Sequence, residues 1–158
     1  MSQNATSDDI TKRLAAVAGE VEGIKAGIIG EPKGALPDDL LPCLLVHPRD
    51  EKVSGFTFRV DQRITPFYLD ILILRVTHTS AALVSDELAL VLPYRERVIS
   101  YFRSNPKLKK ADTGVVYTFR LTNGGQPGHK TVTRSDKNEQ YLGLRFEAEA
   151  VTYHTRSS

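Results

Sequence analysis

The chain is poor in residues that would staple it together or anchor it. Of its 158 residues one is cysteine, Cys43, which excludes an intrachain disulfide and a cysteine-based zinc cluster. Cys43 lies in the apolar run LLPCLLV and reads as a buried structural thiol rather than a nucleophile. No apolar run approaches the ~20 residues of a bilayer span. The opening MSQNATSDD has no basic segment leading into an apolar core, so no signal peptide is expected and folding in the cytoplasm is. Charge of one sign is also scarce: 21 basic and 19 acidic side chains leave a net +2, which makes no general case for nucleic acid or membrane surfaces. What is present, 41% hydrophobic and 25% charged residues, describes a soluble globular chain long enough to bury a real core. No repeat, low-complexity tract or linker divides it, so one domain over residues 1–158 is expected, with residues 1–6 flexible.

Motifs for bond chemistry are missing as well. The stretch TNGGQPGHKTVT, Thr122 to Thr133, holds three glycines, a lysine and a threonine and invites comparison with a phosphate loop. That loop needs a glycine, four residues and then Gly-Lys-Ser/Thr, after a strand and opening a helix. Here His129 separates Gly128 from Lys130, only three residues follow Gly124 before Gly128, and KTVTR is strand-like. The stretch is better read as a hairpin tip over residues 122–130, with its glycines and Pro127 serving chain reversal. There is no G-x-S-x-G. The histidines, His47, His78, His129 and His154, show no one-face metal spacing. Glu147 and Glu149 share a strand face with Arg145, which favours ion pairing across strands or subunits over acid–base work. No catalytic residue, metal site or cofactor is assigned. Lys107, Lys109 and Lys110, with Lys130 and Arg134, offer phosphate-contacting charge, but without aromatic platforms or a recognition helix.

The patterning predicts mixed secondary structure. Ile10, Leu14, Val17, Val21 and Ile24 recur at helical spacing over Ile10 to Lys25, with Thr6, Ser7, Asp8 and Asp9 as capping residues. GIIGEPKGALPDD reads as an extended connection, and Leu40 to Val46 as a short strand. The polar stretch from His47 to Pro66 is either a short hairpin or a mobile loop around Gly55. FYLDILILRVTH, Phe67 to His78, is apolar on both faces and is expected at the sheet centre, with Phe67, Leu69, Ile71 and Ile73 on one side and Leu72, Leu74 and Val76 on the other. Within it Asp70 reads as a carboxylate near the strand end, or turned to solvent or a partner. A second helix covers Ser85 to Ser104, with Pro93 at the first turn of its main part, Tyr94, Val98, Tyr101 and Phe102 on the buried side, and Asn105-Pro106 as the stop. Gly114 to Leu121, Lys130 to Arg134 and Gln140 to His154 are strands, the last two joined by the turn SDKNE.

The succession of ITKRLAAV, LPDDLLPCLLV, LPYRERVISYFRSNPKL and YLGLRFEAEAV resembles the tail terminator proteins of long-tailed bacteriophages, over nearly the whole chain. The resemblance implies an α/β (α+β) fold in which a mostly antiparallel sheet packs against two helices, assembled as a homo-hexameric ring. Such a ring caps the head-proximal end of the tail tube, ends tube polymerisation and docks on the head connector. It implies no catalytic motif and no cofactor. The expected partners are the tail tube protein and the head-tail connector or stopper protein, with transient contact to DNA in the channel and none to membrane; the expected location is the virion neck. Subunit contacts are expected at Arg145, Glu147 and Glu149 and along GEPKGALPDD. Tube or channel contacts are expected in the loop Val53 to Thr65 and at Gln126, His129 and Lys130. Another head-tail joining protein, or a small nucleic-acid-binding module, is the alternative reading.

Overall fold

The structure, a computed structural model, describes residues 6–32, 36–76, 85–108, 117–134 and 137–155. They form a seven-stranded mixed sheet, mostly antiparallel, covered on one face by two helices. This is the α+β domain expected from the sequence.

Helix α1 spans Ser7–Val17. Thr6 caps it reciprocally: the Asp9 amide donates to Thr6 Oγ1 at 3.2 Å and the Thr6 amide to Asp9 Oδ2 at 2.9 Å, satisfying amides that a helix start leaves without partners. Those bonds, from the Thr6 backbone first and its hydroxyl second, hold the Asp9 carboxyl below its ordinary range. The helix is shorter than expected. It passes into a single 3-10 turn at Ala18–Glu20, and Gly23 takes φ +87°, a conformation cheap only for glycine. Val21 and Ile24 are still buried, but from an irregular segment rather than from the same helical stripe.

The start of the segment read as a connection belongs to a strand, β1, Ala26–Ile29, parallel to β2, Cys43–Pro48. A Cβ on Gly27 would lie 2.2 Å from the Ala15 carbonyl oxygen, so α1 rests directly on the backbone of β1. Between the two strands the chain crosses the opposite sheet face through Leu36 and a 3-10 turn at Asp38–Leu40, then a cis Leu41–Pro42 bond. Strands β3, Lys52–Gly55, and β4, Val60–Val76, form a hairpin, one of the two readings of that region.

β4 is the central strand. It pairs with β2 and β3 along one side and with β7, Lys137–Thr155, along the other. Phe67, Leu69 and Ile71 enter the main core with Ile10 and Leu14 of α1 and with Val91, Val98 and Phe102 of α2, Ser85–Ser104. The expected alternation then breaks. Leu72 pairs with Gly143 but Leu74 with Leu142, so Ile73 is an extra residue, a β-bulge that reverses which face later side chains occupy. Leu74 and Val76 therefore pack on the helix side with Ile73, while Leu72 faces away. Gly143 makes the bulge possible: a Cβ there would stand 2.2 Å from the Ile71 carbonyl oxygen.

α2 runs unbroken through Pro93, which sits on its exposed side, rather than restarting there. Val98 and Phe102 are buried, as expected, and Tyr94 and Tyr101 half-buried. Asn105 stops the helix, its side-chain amide donating to the Tyr101 carbonyl at 2.9 Å.

The hairpin expected at residues 122–130 is not one. β5, Tyr117–Leu121, and β6, Gln126–Arg134, do not pair with each other; both pair with β7, end to end along its far side. Residues 122–125 bridge them as a local excursion. The Glu147 amide donates to Asn123 Oδ1 at 2.9 Å and the Gly125 amide to the same oxygen at 3.2 Å, while the Thr122 amide donates to the Glu147 carbonyl at 2.7 Å. Asparagine thus supplies the acceptor that the interrupted ladder lacks. Gly125, at φ +87°, lies against the Phe146 ring where no Cβ would fit. The reversal into β7 comes later, where Arg134 pairs with Lys137.

Candidate functional site

Three features of the sheet bear on function: a charged cluster on the face away from the helices, a recess beside it, and an apolar hairpin at one edge.

The cluster centres on Asp70, 2% exposed in the middle of β4. Arg145 lies directly opposite on β7 and grips it with two hydrogen bonds, Nε to Oδ1 at 2.8 Å and Nη2 to Oδ2 at 3.0 Å, the bidentate geometry that suits a guanidinium. Lys130 Nζ reaches Asp70 Oδ2 at 3.3 Å and Glu31 Oε1 at 3.1 Å. His47 Nε2 lies 3.3 Å from the same Asp70 oxygen and 3.7 Å from Glu31, without a hydrogen-bonding alignment to either. Burial alone would push the Asp70 carboxyl up. The polar contact of His47, the Arg145 hydrogen bonds and the charges of Lys130 and Arg145 outweigh it and hold the group well below the usual carboxylate range. Those same bonds to Asp70 raise the Arg145 guanidinium above its ordinary value. Tyr68 receives two cations on its ring, Arg49 at 4.3 Å and Arg145 at 4.4 Å from the centroid.

Arg145, Glu147 and Glu149, assigned to subunit contacts, each have a partner within the chain. Arg145 holds Asp70. Glu149 pairs with Arg120. Glu147 accepts from the Asn123 side chain at 3.4 Å and lies 4.0 Å from Arg49. The residues assigned to a hairpin tip lie instead in strand β6. His129 Nε2 meets Glu87 Oε2 of α2 at 2.9 Å in a nearly buried pair, Lys130 joins the Asp70 cluster, and exposed Gln126 sits opposite Arg145. Of the lysines weighed for phosphate contact, Lys107 is exposed; Lys109 and Lys110 lie outside the described residues, as do His78 and the side chain of Arg134.

The recess, about 370 Å³, opens beside this cluster and is bordered by Asp70, Arg145, Gln126 and Lys130. Its floor is bare because Gly128 and Gly143 are cross-strand partners. The carboxylate oxygens of Asp70 already face Arg145 and Lys130, and among the described residues no group of His, Cys, Asp and Glu is arranged to hold a metal ion. The cluster binds β2, β4, β6 and β7 into one register and offers no unengaged nucleophile.

Sequence reasoning misplaced Asp70, reading it near the strand end or turned to solvent or a partner, whereas it is 2% exposed within β4. Its signal was an acid inside FYLDILIL, readable only once the register sets Arg145 of YLGLRFE opposite it. It also missed the aromatic side chains at the β3–β4 turn. Val53, Phe56, Phe58 and Tyr153 are 57%, 61%, 88% and 39% exposed, and Phe56 packs edge-on against Tyr153 with centroids 5.2 Å apart. Phe56 and Tyr153 thus form an exposed aromatic pair, whereas Val53, in the row of Arg63 and Thr152, belongs to the other face of the sheet.

Neither a protein-family model nor a curated protein matches the chain. No helix among the described residues is long and apolar enough to cross a membrane.

Proposed function

We propose that this chain is a phage assembly protein of the tail terminator kind: a subunit of a six-membered ring that caps the head-proximal end of the tail tube, ends tube polymerisation and forms the joint with the head connector. The observation that carries the proposal is the distribution of unsatisfied surface. The helices cover one sheet face, the charged side chains of the other face pair with one another, and large apolar side chains stand exposed at several places, Phe56 and Phe58 at the β3–β4 turn, Tyr153 beside it, and Ile29, Leu90 and Leu92 elsewhere. That pattern suits association with macromolecular surfaces better than capture of a small molecule. The order of elements supports it too, since a helix, a long central strand, a second helix and a terminal strand ending YLGLRFEAEAV follow one another as the resemblance implies. Function on this reading is complementary surface and ring closure, with the tube protein on one side, the connector or stopper on the other, and DNA passing through the channel.

Electron microscopy of the purified chain mixed with tail tubes tests the proposal. A ring at one end of each tube, with tube length no longer increasing on addition of tube protein, is the expected outcome. Tubes that stay bare and continue to grow would overturn it.

A further inference from the structure

Gly128 is a glycine that the fold does not require. Its cross-strand partner Gly143 is explained by the bulge, where a Cβ would meet the Ile71 carbonyl oxygen. Gly128 lies within strand β6, and a Cβ built on it meets nothing within 4 Å. Glycine weakens a strand, and where neither bulge nor bend explains it, it marks a place that a ligand or another chain approaches closely. Here the missing side chain leaves open the recess of about 370 Å³ on the sheet face away from the helices, a volume at the small end of ligand sites.

The groups around the recess define what fits it. Arg145 and Lys130 stand two positions to either side of the glycine pair, in the rows of Gln126 and Tyr141. A guanidinium has five N–H groups, and Arg145 gives two of them to Asp70. Lys130 Nζ lies 3.1 Å from Glu31 and 3.3 Å from Asp70, and an ammonium has a third proton. Gln126 adds an exposed side-chain amide. Both Asp70 oxygens already face these cations, so the unused capacity is mainly that of donors on charged groups. Among the described residues the recess is bordered by two cations and one carboxylate, a surplus of one positive charge. Glu31 balances Lys130 from outside the recess, and its half-exposed carboxylate is screened by water.

We propose that this recess is a binding site for a carboxylate group, carried by a small acid or by an acidic side chain of another protein. The carboxylate accepts from Arg145 and Lys130 in charge-assisted hydrogen bonds, and the carbon chain behind it lies over Gly128, where no side chain stands in the way. A single surplus charge suits a monoanion. A phosphate dianion brings more negative charge against Asp70 than the two cations offset. Glu31, seated on Lys130 from the solvent side, is the chain's own example of the contact. The proposal goes beyond the ring reading and does not depend on it.

Titration of the full chain, read by the NMR shifts of backbone amides and arginine side chains at constant ionic strength, tests the site. Propionate should shift the Gly128 amide and the Arg145 Nε–H saturably, while propionamide, of the same shape without the charge, should bind about tenfold more weakly or less. Gly128→Leu fills the recess and leaves every charge in place, so it should abolish the saturable shifts without lowering the thermal melt. Lys130→Met keeps the space and removes a donor, and should weaken propionate about fivefold. The tripeptide acetyl-Ala-Glu-Ala-amide separates the two sources: binding as tight as that of propionate assigns the site to an acidic side chain, and exclusion of the tripeptide while propionate binds assigns it to a small acid. Equal shifts from propionate and propionamide, tighter binding of inorganic phosphate, or undiminished propionate binding in either variant would overturn the proposal.

Discussion

Asp70 and Arg145, 75 positions apart in the chain, stand opposite each other on β4 and β7 and share two hydrogen bonds of 2.8 and 3.0 Å. The acid is buried and the guanidinium only partly so, 3% against 46% exposed. Removing the acid therefore strands cations that it orders, whereas removing the arginine strands a carboxylate that water cannot reach.

Asp70→Asn should lower stability by about 3 kcal/mol at neutral pH, the scale for breaking a buried pair from one side, measured by urea unfolding. The pH dependence carries a definite sign. The folded-state pKa of Asp70 is depressed below an unfolded value of about 3.9, so its contribution is fully present above that value and is lost as pH falls through the folded one. The gap between parent and variant should stay constant from about pH 5 to 7 and shrink below about pH 4. A gap that widened in acid would contradict this account.

Two glycines that face each other across β6 and β7 should respond oppositely to one methyl group. Gly143→Ala drives a Cβ into the Ile71 carbonyl and should cost about 1–3 kcal/mol or more. Gly128→Ala meets nothing within 4 Å and should be neutral or stabilise by up to about 1 kcal/mol through the unfolded chain. Thermal melts of the two variants side by side decide the matter.

Asn123→Ala removes one oxygen that accepts from two backbone amides, those of Gly125 and Glu147. The expected cost is about 1–3 kcal/mol. Hydrogen exchange should show the Glu147 amide losing protection first, with the α1 amides unchanged; uniform loss across the sheet would mean that the excursion at residues 122–125 is not a local unit.

Burial pushes the Cys43 thiol up to about 11. A colourless disulfide reagent that releases a coloured thiolate should therefore react with the native chain at pH 8 only at the rate of unfolding, and at once in denaturant. Immediate reaction of one thiol per native chain would place Cys43 at the surface.

The sequence makes legible whatever depends on periodicity within one element. β7 shows its core face in Leu142, Leu144, Phe146, Ala148 and Ala150, and these are buried; α2 shows Val98 and Phe102. Features that depend on register between distant segments stay hidden. The bulge at Ile73 reverses the faces of Leu74 and Val76, and its cause, Gly143, lies some seventy positions away. For the same reason Asp70 reads as an isolated acid until Arg145, Lys130 and His47 are brought to it by three other strands. The excursion at residues 122–125 was mistaken for a hairpin because glycine and asparagine mark a break in a strand as readily as a reversal; the signal that separates them, pairing of both flanks with a third strand, is not local. Short β1 went unread because four residues show too little alternation.

The end-to-end placement of β5 and β6 also governs how this molecule behaves in a crowd of its own kind. A long, flat strand edge would template another strand and then another, the route to open-ended aggregates. Here that border is cut into a five-residue piece and a nine-residue piece by the excursion at Asn123, and the second piece carries Pro127, which has no amide to donate. A foreign strand can register with neither piece for long.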